Sequence, residues 1–285
     1  MSVNKSSRNS SLAGVIALAL GLALCGSLII AADGSGFAPA AGEFKENWHK
    51  TFPLGPDGRF SVKNVNGDIR ITTWDKPEAD VSAVKISRSK EENLKLVTIE
   101  AQSGAGFASI DTLWPKAPFR NLRISVDYEI KVPAGVRLEM VRSTNGGLEL
   151  VGTFGEVTAK TTNGDIRLEG AAGPSFLDTT NGDITARDIR GAVKADTTNG
   201  GITLTIDGLK GNVEADTTNG SITVRLVGPI NAQLEAETTN GHIDVAVPVT
   251  IKGLSRSRRS ISGTIGDGGP LLSLDTTNGS ITIEK

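Results

Sequence analysis

From residue 145 to the end of the chain, apolar and polar positions alternate in short runs that break at Asn-Gly. Counting from Asn199, the residues six, four and two places before it are Val193, Ala195 and Thr197; those three, five and seven places after it are Ile202, Leu204 and Ile206. The copy at Asn219 gives Val213, Ala215 and Thr217, then Ile222, Val224 and Leu226. The copy at Asn240 gives Leu234, Ala236 and Thr238, then Ile243, Val245 and Val247. Period-two alternation on both sides of a turn dipeptide predicts a strand, a corner and a second strand per copy. Glycine at such a corner is expected to supply a positive φ, which Asn also tolerates better than most residues.

The corners fall at Asn66-Gly67, Asn145-Gly146, Asn163-Gly164, Asn181-Gly182, Asn199-Gly200, Asn219-Gly220, Asn240-Gly241 and Asn278-Gly279. From Asn145 onward the steps are 18, 18, 18, 20, 21 and 38 residues, and Ser262-Gly263-Thr264-Ile265 reads as a worn copy inside the last, double-length step. A period near 20 marks a stacked repeat protein. Two all-β architectures share the pattern. In stacked hairpins or a β-sandwich, the strands flanking each Asn-Gly pair with one another. In a β-solenoid, each strand pairs with its equivalent in the next rung, so that like stacks on like at about 4.8 Å. The solenoid better explains the constant phase. Each rung then buries three or four aliphatic side chains, at roughly 1.5–3 kcal/mol apiece, and inward Thr hydroxyls are satisfied along the ladder.

Earlier residues are less regular but still β. Phe60, Val62, Ile69 and Ile71 keep the phase around Asn66, and Leu122 to Val132 alternate strictly up to Pro133-Ala134-Gly135. KEENLKLV, near Lys90, is the one modest helix candidate. Residues 44–285 are read as a single repeat domain. Residues 44–140 are expected to cap the first rung, with Glu284-Lys285 guarding the other open end.

The first 32 residues form a separate unit: Lys5 and Arg8 in a polar leader, then an apolar run from Leu12 to Ala32. That is the layout of an export signal. At about 21 residues the run is also long enough to span a bilayer, so a cleaved signal and a retained inner-membrane anchor through residues 12–32 both stand. Either way the remainder is extracytoplasmic: periplasmic, surface-bound or secreted. Residues 33–43 read as a flexible linker. Cys25, the only cysteine, lies in the apolar run, and Leu24 precedes it where a lipoprotein signal needs a small residue. The exported part thus has no disulfide and no thiolate metal site.

Charge is nearly balanced, 30 Lys+Arg against 32 Asp+Glu, which removes the electrostatic signature of nucleic-acid binding. Nucleophilic chemistry has few players: His49 and His242 are the only histidines, no Ser-His-Asp pattern exists, and no glycine-rich loop leads into a helix. No catalytic residue and no cofactor is assigned. Paired carboxylates of a polysaccharide-cleaving β-helix are the enzymatic alternative. Three places before each Asn stand Arg142, Lys160, Asp178, Asp196, Asp216, Glu237 and Asp275. In a solenoid the four carboxylates Asp178, Asp196, Asp216 and Glu237 form an outward ladder. Neighbouring charges there repel by roughly 1 kcal/mol, so Lys194 or a cation such as calcium is expected to compensate. The ladder is the candidate cation strip. Thr185, Thr203 and Thr223 form an outward Thr column, interrupted by Arg167, Glu149 and Asp244; ordinary β-propensity accounts for it. Lys252, Arg256, Arg258 and Arg259 form a basic patch able to touch anionic lipid or polysaccharide.

Together, the exported leader, VNGDIRITTWD from Val65, VDYEIKVPAGVRLEMVRSTNG from Val126, the repeated TTNGDI and the closing SGTIGDGGPLLSLDTTNGSITIEK resemble the DUF4097 putative-adhesin family over residues 44–285. The resemblance implies a bacterial, extracytoplasmic β-helix-like protein. It brings no catalytic residues. The function expected is non-enzymatic: an adhesin or cell-envelope scaffold meeting a surface glycan or envelope protein. A polysaccharide-cleaving enzyme and an envelope stress-signalling partner are the alternatives.

Overall fold

A computed structural model describes residues 42–115, 123–250 and 258–285. The leader, nearly all of the linker, Leu122, Lys252 and Arg256 lie outside them.

Strand pairing selects the solenoid. The strands flanking Asn199, Val193–Asn199 and Ile202–Asp207, do not pair with each other; each pairs in parallel with its equivalents in the rungs on either side. One strand of every rung joins a 12-stranded sheet and the other an 11-stranded sheet. The inward phase is as the alternation predicts. Val193, Ala195, Thr197, Ile202, Leu204 and Ile206 are buried, as are their equivalents around Asn219. Leu234, Ala236 and Thr238 are buried too, but Ile243, Val245 and Val247 are only half-buried. The strand Ile243–Val245 is the edge of its sheet, so no rung covers them from beyond.

Spatial order departs from chain order at both ends. The strands Leu271–Asn278 and Ile281–Glu284 slot between the Asn219 rung and the Asn240 rung. The rung order is therefore 181, 199, 219, 278, 240. Glu284-Lys285 consequently guards no open end: Glu284 sits inside the stack, where its Oε1 accepts from Arg225 Nη2 at 2.7 Å. The segment expected to be a worn rung, around Ser262, instead runs antiparallel to Ala232–Asn240 as the strand Ser260–Ile265. Left-handed Gly266 and Gly268 (φ 59° and 81°) then carry the chain over to Leu271. At the other end, Arg59–Lys63 and Ile69–Trp74 make a true rung, the Asn66 rung, lying between the Asn145 rung and one built from Phe107–Leu113 and Ile124–Pro133. Capping of that end falls to three antiparallel strands, Phe44–Pro53, Glu78–Ser87 and Thr98–Gly104. The helix candidate near Lys90 is a 3-10 segment, Glu91–Leu96, seated through Leu94.

The corners are where sequence and fold lock together, for a reason other than the one expected. Among the corner glycines, only Gly67 (φ 116°) and Gly182 (φ 159°) have positive φ, and no corner Asn does. What glycine provides is space. A Cβ on Gly164, Gly182, Gly200 or Gly220 would collide with the carbonyl oxygen of the corner glycine one rung away. That crowded carbonyl takes its hydrogen bond from the inward Thr of the adjacent rung rather than from a strand: Thr179 Oγ1 donates to Gly164 at 3.0 Å, Thr197 to Gly182 at 3.0 Å, Thr217 to Gly200 at 2.9 Å and Thr276 to Gly220 at 2.8 Å. Inward Thr residues thus bond a neighbouring corner, not one another. Outside the corner, each Asn Nδ2 from Asn145 onward donates to Oδ1 of the Asn before it in the rung order Asn66, Asn145, Asn163, Asn181, Asn199, Asn219, Asn278, Asn240, at 2.6–2.9 Å.

Replacing Gly200 with Ala is expected to cost about 2 kcal/mol or more, because the backbone oxygen of Gly182 cannot withdraw without unstacking the corner. Gly55→Ala, into open space, should change stability by less than about 0.5 kcal/mol. Urea unfolding of the two variants compares them; equal midpoints would refute the close-approach account.

Candidate functional site

The position three before each Asn forms one continuous column on the outer face of the 12-stranded sheet. Register places Asp178 beside Asp196, Asp196 beside Asp216, Asp216 beside Asp275, and Asp275 beside Glu237. The expected four-carboxylate ladder is therefore assembled, with Asp275 intercalated between Asp216 and Glu237. The intercalation could not be read from the spacing, because a strand of identical phase fits either neighbour. In the other direction the column continues through Lys160, Arg142 and Lys63 to Asp111.

Charge in the acidic part is only partly compensated. Lys194 bonds Glu214 and stands 3.9 Å from Asp196. That bond holds the Lys194 ammonium above its ordinary pKa and the Glu214 carboxyl below its own. Half-burial dominates for the two central acids. It pushes Asp196 up, aided by Glu214 and Asp178, and pushes Asp216 up to about 6, aided by Asp196 and Glu214. Lys160 pairs with Asp178 at 3.2 Å and lies over the Phe176 ring, 4.7 Å from its centre. The groove along this face has a volume of about 300 Å³ and is lined by Asp178, Asp196, Asp216, Asp275 and the Thr residues that follow them, inward and outward. Among the described residues, no three or more carboxylates or imidazoles converge as a metal cluster would require; the ladder spreads its acids along a line.

The Thr column on the other sheet gains a member in the same way. Thr185, Thr203, Thr223 and Thr282 are consecutive, with Arg167 before and Asp244 after. A second, longer column runs along the corner: Thr144, Thr162, Thr180, Thr198, Thr218, Thr277 and Thr239, one place before each Asn. The histidines do not meet. His49 Nε2 lies 3.2 Å from Asp80 in the antiparallel cap, and His242 Nδ1 lies 2.9 Å from Ser280 Oγ at the Asn240 corner. Of the basic patch, Arg258 and Arg259 are exposed. The Tyr128 hydroxyl reaches across the interior to Thr112 Oγ1 at 2.6 Å, and burial pushes its pKa up to about 12. This gives the tyrosine of the YEIKVPAG stretch a structural role, bridging the two sheets.

These features define an all-β repeat protein with parallel rungs, whose chemistry is arrayed in columns on open faces. The family model described as Toastrack DUF4097 matches residues 46–284, and the chain belongs to that family. No curated protein matches it significantly. Among solved structures, a putative adhesin from Bacteroides fragilis is 14% identical, with a TM-score of 0.40, covering 84% of this chain and 97% of its own. A putative cell adhesion protein from Clostridium sporogenes is 12% identical, with a TM-score of 0.37 and coverage of 84% and 99%. A putative lipid binding protein from Parabacteroides distasonis is 12% identical, with a TM-score of 0.32 and coverage of 84% and 97%.

Because the Asp216 pKa is higher in the folded chain than in the unfolded one, the native state holds the extra proton between about pH 4 and 6. The stability this group contributes is complete below pH 4 and is lost as the pH rises through 6. Asp216→Asn should therefore raise the melting temperature at pH 7 relative to the parent, with the difference vanishing at pH 4. Melting curves at the two pH values check it; a variant less stable than the parent at pH 7 would show that the charge is favourably held.

Proposed function

We propose that the chain is an exported, non-enzymatic protein of the bacterial cell envelope, an adhesin-like or scaffolding module that binds through its outer faces. The supporting observation is the corner Thr column, seven residues in consecutive rungs flanked by the Asn ladder on one side and the charged column on the other. Equal hydrogen-bonding groups recur along it at one strand spacing, about 4.8 Å. Such a surface suits an extended polymer with its own repeat, such as a glycan, because each added unit contributes a weak contact of the same kind. Export rests on the leader, whose charged start and apolar run follow the signal layout.

A glycan array probed with the full-length chain, beside a polysaccharide-cleavage assay, tests this reading. Binding to a repeating glycan is expected, weakened about tenfold by the paired substitutions Thr198→Lys and Thr218→Lys, with the melting temperature unchanged. Release of new sugar ends, lost on changing a defined acid pair, would replace the binding role with an enzymatic one.

A further inference from the structure

The charged column is polarised along its length. Three consecutive rungs carry Lys63, Arg142 and Lys160; then comes Asp178, and the next three carry Asp196, Asp216 and Asp275. Asp178 is already paired internally with Lys160. Lys63 likewise has an acid of its own chain beside it, Asp111 at 3.8 Å. Around the Asn181 rung the column therefore reads three cations, two of them with acids of their own chain nearby, a central acid and three anions. Reversing its direction exchanges the two arms, so the charges are complementary everywhere along the seven rungs except at the centre, where Asp178 faces its own counterpart. An acidic strip alone would not single out a ligand; a matched basic strip on the same face, at the same spacing, does.

We propose that this face of the 12-stranded sheet docks, antiparallel, on the same face of a second copy of the chain, about a two-fold axis through the Asn181 rung. An axis lying in the interface and along the strands reverses rung order but keeps each column opposite itself. Lys160 then meets Asp196 of the second copy, Arg142 meets Asp216 and Lys63 meets Asp275, and each pair occurs twice. The neighbouring outward column places Phe176 in the same rung, between Thr158 and Lys194. Phe176 is half-exposed, and the axis sets it against its own counterpart. An aromatic centre ringed by charge pairs is the composition of a specific interface. Isologous pairing also closes the assembly at two copies.

Seven rungs at about 4.8 Å span roughly 30 Å, and three outward columns roughly 20 Å, so each copy would cover about 600 Å². The total, about 1,200 Å², is the lower end of specific interfaces. The dimer is accordingly weak and salt-sensitive, because most of its pairs remain near solvent. One rung further in each direction the same axis sets Asp111 against Glu237, like against like, so the favourable stretch ends at seven rungs and the end contacts weaken the dimer further.

Sedimentation velocity of the full-length chain at about 20 mM and about 500 mM salt tests the proposal. A monomer–dimer equilibrium is expected at low salt, weakened at least about tenfold at high salt. Arg142→Asp should weaken the low-salt dimer by a similar factor. The swap Arg142→Asp with Asp216→Arg in one chain should restore it, because the two positions meet across the axis. A melt confirms that each variant is folded; if Arg142→Asp is not, Lys63→Glu provides the same test at an exposed site. A chain that stays monomeric at low salt, a dimer indifferent to the reversals, or a swap that fails to restore association would overturn the proposal. So would association that requires calcium and disappears with a chelator, which would make a bridging cation the occupant of the acidic arm.

Discussion

One carbonyl per rung sets the terms for the rest of the structure. At the stacked corners from Gly146 to Gly220 the glycine oxygen points along the stack, so close to the adjacent glycine that no side chain fits, and its hydrogen bond comes from a side chain. A buried acceptor left without that bond would cost about 1–3 kcal/mol per rung. The inward Thr two places before the Asn removes the penalty from within the neighbouring rung. Thr, Asn and Gly are thus three parts of one contact: hydroxyl donor, external amide ladder and bare backbone. Because the donor sits on one rung and the acceptor on the next, the motif works only when repeated.

That coupling explains why the middle of the molecule was legible and its ends were not. Phase, corner positions and inward residues follow from alternation around Asn-Gly, since each rung solves the same local problem. The order of rungs is set by another rule. Any strand carrying an acid followed by Thr-Thr-Asn can pair with any other in register, so sequence position does not decide that the Asn278 rung lies inside the Asn240 rung. Ser260–Ile265 alternates like a rung strand, yet it runs the other way; what separates it is the missing Thr-x-Asn-Gly corner and the two left-handed glycines that follow. The corner glycines answer to close approach and not mainly to positive φ, and the two leave the same sequence signature.

The candidate site was legible to the same extent. The acids at each third place before Asn do form an outward ladder, but its fifth member and its continuation into Lys160, Arg142 and Lys63 depend on rung order. Compensation is also more local than expected. Lys194 serves Glu214 more closely than it serves the ladder, and half-burial rather than mutual repulsion is the leading cause of the raised pKa of Asp196 and Asp216. The outer face is therefore a surface of uneven charge, not a uniform acidic strip.

The intercalated final rung has a consequence for biogenesis. During synthesis from the N-terminus, the Asn240 strands emerge before the strands that must lie beneath them. Until the last 15 residues are available, from Leu271 to Lys285, the Asn219 rung presents a bare edge on which the Asn240 strands fit in the same phase, one level too deep. A product that stops before Leu271 lacks an internal layer of the stack. Its two exposed edges are the kind of surface that a cell's quality control can distinguish from the finished stack.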